Sequence, residues 1–591
     1  MTTLTAAAPA QPRRFMLLSP SLLWLALGLA LLMTASWTLK DWAALRLLRL
    51  PDNDDMMRIA EIRDWLNGQG FNDLMQYRLG PPGGASMHWS RINDAVPALI
   101  ILALEPLVGT YAAELTAVIA YPGMLLCVYL LLAARIGMRL GGEKTGIFAL
   151  ILAGLAFPTI SLFVPGRIDH HALQIVLTFV LVDMMVAAPS FRRGFAAGLA
   201  TALSMAVGLE AAPEIVAAMA ALGVLWLFGG REETRRALGF GAALGGVTLA
   251  LLLFARPHVW PEEWCDGFTP ASTRATLTLA GAWLLIGGLG LKVSDWRVRV
   301  AIGGVVGVVA AGIAFSASRV CFQGPYDALT PFLKQVWMSN VSEAKDLFFG
   351  QDTLGTTFAY GGLMFGGLAL ALHRVWRQKL ADRAWAGFAL FLAISTVAAV
   401  LQIRVTYILA GFASIPFAVA IAEARQAPLL RRLALWIFGA GITWNLIAAQ
   451  MDSALAKPIE AARVAARRCT QGESILVPGA LPKGRIMAPI DLGSYLIGMT
   501  PHHVIAAGYH RNNAGNTAAY AFFLAPPERA HAMARMWGID YVTLCPENMR
   551  EKALDRYRPG SLLEQLQSSA PPPAWLERVD TGGSLLLYRV R

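Results

Sequence analysis

Three short stretches of the chain place carboxylates and imidazoles where apolar sequence gives way to polar. In PDNDDMMRIAEIRDW, Asp52, Asp54 and Asp55 precede an amphipathic run; in VPGRIDHHALQ, Asp169, His170 and His171 are consecutive; WMSNVSEAKDLFFG contributes Glu343. A carboxylate inside a bilayer costs about 2.5–3.5 kcal/mol at the centre on insertion scales, and less toward the interface. Several converging at the rim are stabilised by a shared divalent cation. Oxygen ligands with an imidazole suit Mg²⁺ or Mn²⁺, and Mn²⁺ accepts the nitrogen more readily. Taken singly, each residue also fits an ordinary solvated loop position.

Other polar groups stand beside apolar runs. Arg404 opens QIRVTYILAGFASIP. An always-charged guanidinium at a helix end suits a bidentate phosphate contact, or snorkels to the interface. In the first loop Tyr77, His88, Trp89 and Arg91 combine stacking and hydrogen bonding suited to sugars. Interfacial anchoring accounts for Trp89 equally well. In AGYHRNNAGNTAAYAF, His510, Arg511, Asn512 and Asn513 form a cluster that could hold acceptor or donor sugar, or cap a solvent-facing loop.

These groups must be positioned by membrane helices. The chain of 591 residues is 56% hydrophobic and 15% charged, where a soluble protein carries roughly 25% charged residues. The net charge of +11 lies in short clusters between apolar runs, which excludes a nucleic-acid-binding domain. Thirteen segments read as transmembrane helices, near 15–37, 113–134, 145–164, 172–189, 194–209, 213–229, 237–255, 274–291, 300–317, 357–372, 385–401, 404–421 and 433–450. The first is too long for a signal-peptide core and reads as a retained helix. With the N-terminus inside, six alternate loops are basic, from Arg135/Arg139/Lys144 to Arg425/Arg431/Arg432. AVPALIILALEPLVG at 95–109 would invert that pattern if it crossed, so it is predicted to be interfacial or re-entrant.

The predicted architecture is a polytopic α-helical domain over 1–450, with outer loops at 38–112 and 318–356, and a small α/β domain over 451–591 outside the cytoplasm. The expected location is a bacterial inner membrane, with the C-terminal domain periplasmic. ESILVP, GRIMAP, HHVIAAG, DYVTLCP and GSLLLYRV read as strands, and PERAHAMARMWG as a helix. Cys265 can pair with Cys321, and Cys469 with Cys545; no CxxC marks a zinc site. No nucleotide fingerprint opens a helix after a strand, so an activated sugar used outside must be lipid-linked.

The same residues carry a family resemblance. NDDMMRIAEIRD resembles the first outer loop of oligosaccharyltransferase catalytic subunits, DHH at 169–171 their second acidic motif in its archaeal form, and NVSE at 340–343 their short Ser/Thr-x-x-Glu motif with Asn340 in the hydroxyl position. The wider group is the GT-C glycosyltransferases. The resemblance implies that Asp54, Asp169 and His171 ligate Mn²⁺ or Mg²⁺, that Asp54 lies near the acceptor, that Glu343 contacts the acceptor or the metal, and that Arg404 grips the donor phosphate. Asp55, His170, His88, Arg91, His510 and Arg511 are further substrate candidates. Two departures stand out. APIDLGSYL has Pro489 and Ile490 where the family's sequon-binding motif has tryptophans, and position 162 is Leu where an Arg is expected.

The expected activity is metal-dependent, inverting transfer of a sugar or oligosaccharide from a polyprenyl-(di)phosphate to a lipid, polysaccharide or protein acceptor on the outer face. A polymer ligase, a phospho-group transferase and a transporter or flippase are the alternatives. A transporter usually has paired repeats with broken helices, and the sequence has no internal repeat.

Overall fold

Apolar runs bounded by capping residues become helices throughout the chain. The computed structural model describes residues 19–260, 262–317, 321, 324, 326–351, 353–455, 473–549 and 552–591. Ser19, Ser190, Thr353 and Asp382 each accept a backbone N–H at the start of a helix, and Thr269 and Ser272 form a reciprocal capping box. Every one of the thirteen apolar stretches carries helix. Seven helices are long and apolar enough to cross a membrane alone, among them Pro20–Lys40, Thr110–Gly141 and Arg383–Leu401. Leu429–Gly439 and Gly441–Ser453 pass the same test together, bent by 77°. The chain is a multi-pass membrane protein.

Small residues set how closely the helices approach. A Cβ at Gly194 would overlap the Arg236 carbonyl, and one at Gly239 the Phe191 carbonyl. The helices Phe191–Val207 and Arg231–Phe254 therefore touch backbone to backbone. The helix His171–Val186, roughly 24 Å at 1.5 Å per residue, separates two polar regions. His171 lines one cavity, while Met185 and Val186 line another beside Arg236 and Arg383. The chemistry-bearing residues and the basic loops thus lie at opposite ends of that helix. Near the basic end, Asp183 is fully buried between Arg139 at 2.6 Å and Arg135 at 2.8 Å.

The first loop is built on the helix Asn53–Leu66 and a short antiparallel pair, β1 (Met75–Gln76) and β2 (Ala85–Ser86). The segment predicted to lie at the interface is the helix Ala95–Val108. It spans about 21 Å, short of a typical hydrocarbon core, and exposes Leu99, Leu102 and Leu107.

The C-terminal sheet contains β3 (Arg485–Met487), β4 (His503–Val504), β5 (Tyr541–Leu544), β6 (Leu576–Val579) and β7 (Leu586–Val590), in the order β4-β3-β5-β7-β6. β3 is parallel to both neighbours, and β7 is antiparallel to β5 and β6. Four of the five predicted strands and the helix Pro527–Trp537 are present. ESILVP is instead a 3₁₀ segment, Glu473–Ala480, with Pro478 inside it. Short apolar runs do not distinguish a strand from buried helical turns. The first loop seals onto this sheet: Gly80 N donates to Val504 O at 2.8 Å, and Val504 N donates to Arg78 O at 2.8 Å. The helix Ile490–Met499 packs on Asn53–Leu66 so closely that a Cβ at Gly498 would lie 2.5 Å from Met56 Cε. Cys265 and Cys321 form a disulfide with a Cα separation of 5.2 Å. Cys545 is disulfide-bonded as well, and its expected partner Cys469 lies outside the described residues.

Candidate active site

Asp52 caps the helix Asn53–Leu66, its carboxylate accepting from Asp54 N at 3.2 Å, and this fixes the direction in which the acidic run enters. Asp55 faces the second motif. Its Oδ1 accepts from Ile168 N at 2.8 Å and Asp169 N at 3.0 Å, tying the loop before His171–Val186 to the first loop. Arg167 then sits among three carboxylates, 2.8 Å from Asp52, 2.7 Å from Asp169 and 3.5 Å from Asp55. One guanidinium serves all three.

That leaves Asp54. It lines a cavity of about 340 Å³, and no described residue donates a hydrogen bond to its carboxylate. Burial, followed by repulsion from Asp52, Asp169 and Glu343, pushes its pKa well above the usual carboxylate range. His171 lines the same cavity. Its Nδ1 is 3.2 Å from Asp169 Oδ2, which leaves Nε2 as the nitrogen available to a ligand. Both Asp169 oxygens are already engaged, Oδ1 by His171 N at 3.0 Å and Oδ2 by Arg167 and His171. Burial alone would raise the Asp169 pKa, but Arg167 and then His171 hold it well below the ordinary value. An uncompensated carboxylate beside an oriented imidazole is a donor set that fits a divalent cation.

Glu343 and Arg404, joined at 2.6 Å, line the same cavity. Arg404 Nε is buried and has no hydrogen-bond partner among the described residues. His88, His170 and His510 also line the cavity. Arg91 does not: it is buried, donating to the Glu61 and Asp73 carbonyls and to Gln69, and so holds the first loop together. Arg511 is likewise outside the lining and is paired with Asp266. Trp89 is buried beneath the Arg58 guanidinium at 4.5 Å, whereas Tyr77 is exposed and donates to Asp73.

No protein-family model and no curated protein matches the chain. Solved structures do. Archaeal oligosaccharyltransferase AglB from Archaeoglobus fulgidus, in complex with an inhibitory peptide and a dolichol-phosphate, superposes with a TM-score of 0.66 at 15% identity, covering 97% of this chain and 74% of that one. This is the oligosaccharyltransferase fold. The Archaeoglobus fulgidus enzyme tethered to an acceptor peptide containing the NVT sequon gives a TM-score of 0.65 at 15% identity, over 97% of this chain and 74% of that one. Its complex with Zn and sulfate gives 0.61 at 14%, over 96% and 73%.

Within this oligosaccharyltransferase fold, sequence reasoning missed three residues at the site. Arg167 lies inside the VPGRIDHH stretch, two residues before Asp169. Glu210 lines the cavity and is 3.0 Å from His170 Nε2. Burial would raise its pKa, but His170, then His171 and His88, hold it well below the ordinary range. The signal was present: Glu210 is a lone charge in the few residues between two apolar runs. Asp266 is the third, adjoining the disulfide-forming Cys265.

Proposed function

We propose that this chain is a metal-dependent, inverting glycosyltransferase of GT-C type. It moves a sugar or oligosaccharide from a polyprenyl-(di)phosphate donor to an acceptor on the outer face of a bacterial inner membrane. The N-terminus is cytoplasmic and the tail after residue 450 forms a periplasmic domain. The observation that carries this reading is that the unpartnered Asp54 carboxylate and the Arg404 guanidinium line one cavity. Its volume, about 340 Å³, lies in the roughly 300–1,000 Å³ range of small-molecule sites.

Asp54 and the Nε2 of His171 would hold Mn²⁺ or Mg²⁺, with Asp169 orienting the imidazole. Bound there, the cation would supply positive charge to the leaving phosphate. Arg404 presents its unpartnered Nε edge to a phosphate oxygen, while Glu343 keeps the guanidinium oriented from its Nη2 side. The carboxylate of Asp54 orients the acceptor and receives its proton. The bond from acceptor to the anomeric carbon forms as the bond from that carbon to the phosphate oxygen breaks. A single in-line displacement of this kind inverts the centre.

The dolichol-phosphate held by the AglB structure supports a polyprenyl-linked donor. A peptide occupies related structures, yet Pro489 and Ile490 here lead into a helix packed on Asn53–Leu66. Lipid and polysaccharide acceptors therefore stand beside a protein acceptor. The test is mass spectrometry of envelope lipids, polysaccharide and glycoproteins from a deletion strain, with and without the restored gene. A glycan that disappears and returns names the acceptor. An unchanged envelope under conditions where the gene is expressed would sink the proposal.

A further inference from the structure

In the same cavity that Asp54 lines, three segments distant in sequence converge. His88 comes from the first loop, Asp266 from the loop before the helix Pro270–Gly290, and His510 from the C-terminal sheet region. One ligating atom from each lies within 4.8 Å of the other two. Among the described residues this is the His/Asp set that closes so tightly; Asp54, Asp169 and His171 do not form such a set.

We infer that His88, Asp266 and His510 form a second, structural metal site, for a Zn²⁺-type ion, that clips the C-terminal region to the loops above the helices. Two imidazoles and one carboxylate are a zinc donor set, at metal–ligand distances of about 2.0–2.2 Å. His88 Nδ1 is buried and has no hydrogen-bond partner among the described residues. Asp266 and His510 are each 7% exposed.

Three hydrogen bonds reach Asp266, and the ion would take the place of one of them. The His510 Nε2–H donates to Asp266 Oδ2, and the ion would replace that shared proton, which is released on binding. Arg511 donates to both oxygens, from Nη2 to Oδ1 and from Nε to Oδ2 at 3.2 Å, and stacks over Trp264 at 5.1 Å. A guanidinium behind a ligating carboxylate is an outer-shell partner that fixes its orientation. The neighbouring Cys265–Cys321 disulfide staples the same loop and belongs to an oxidising compartment.

The site is independent of the transfer chemistry proposed above, and the test separates the two. The full-length chain is purified in detergent, stripped with chelator and titrated with Zn²⁺, metal being counted by mass spectrometry. In an Asp54→Ala background, which removes the ligand assigned to the transfer site, one zinc per chain is expected to remain. His510→Gln or His88→Gln in that background should weaken this binding by at least roughly tenfold, as even outer-shell losses do. Cobalt substitution of the Asp54→Ala protein with both histidines intact should give visible ligand-field absorption, a check that needs no change in the cluster. Zinc binding unaltered by His510→Gln, or Asp54→Ala protein that binds neither ion, would overturn the inference and leave a plain hydrogen-bonded His–Asp–Arg clasp.

Discussion

Arg404 Nη2 lies 2.6 Å from Glu343 Oε1, joining segments 61 residues apart in sequence across one wall of the cavity. The pair holds the guanidinium plane while leaving Nε unpartnered. Lysine would preserve the charge but not the rigid two-edged donor. Arg404→Lys is therefore expected to lower kcat by roughly 10²–10³, the usual loss for a preorganised transition-state donor. Initial rates with a short-chain lipid-linked donor in detergent check this, and a wild-type kcat would remove Arg404 from the phosphate site.

Asp54 is the acidic group left without compensation. Its carboxylate is repelled by Asp52, Asp169 and Glu343 and accepts no hydrogen bond from a described residue. Asp54→Asn should lower turnover by roughly 10²–10³ or more. In chelator it should melt at or above the wild-type temperature, because the repulsion is gone. Adding Mn²⁺ should raise the melting temperature of the wild type and not of the variant. A variant that is less stable in chelator, or that gains as much from Mn²⁺, contradicts the assignment.

Arg167 is the counterweight. Removing it leaves Asp52, Asp55 and Asp169 facing one another without the guanidinium they share, two of them buried. Truncating one partner of a buried ion pair typically costs about 3–5 kcal/mol. Arg167→Ala is expected to lose that much stability in denaturant unfolding, and Arg167→Lys to recover part of it. An unchanged midpoint for Arg167→Ala would mean that the acidic loops are held by other contacts.

The ease with which these features could be anticipated follows their physics. Membrane helices write themselves as apolar runs with basic loops at alternate ends, and the helix His171–Val186 separates two polar regions. Asp54, His171, Glu343 and Arg404 stood out because charge beside an apolar run is costly. Arg91 and Arg511 stood out as members of polar clusters suited to sugars, yet they serve to hold loops together. Sequence shows which side chains are polar, and partners 200 residues away decide which of them remain free. Glu210 and Asp266 escaped notice because their partners, His170 and His510, lie 40 and 244 residues away. The strand missed at Leu576–Val579 carries two exposed, charged residues, Glu577 and Arg578, and so lacks an apolar signature.

The glycine seam between Phe191–Val207 and Arg231–Phe254 yields a prediction with opposite signs on one helix. A Cβ at Gly239 would overlap the Phe191 carbonyl, so Gly239→Ala must push two backbones apart. Overpacking of this kind costs about 1–3 kcal/mol. Gly246, on the same helix, has nothing within 4 Å of its would-be Cβ. There Gly246→Ala should be neutral or stabilising, by up to about 1 kcal/mol of helix propensity. Thermal melts of the two variants in the same micelle compare them directly. If Gly239→Ala melts no lower than Gly246→Ala, the two helices do not meet backbone to backbone, and the wall that carries Glu210 is held in place by something other than this seam.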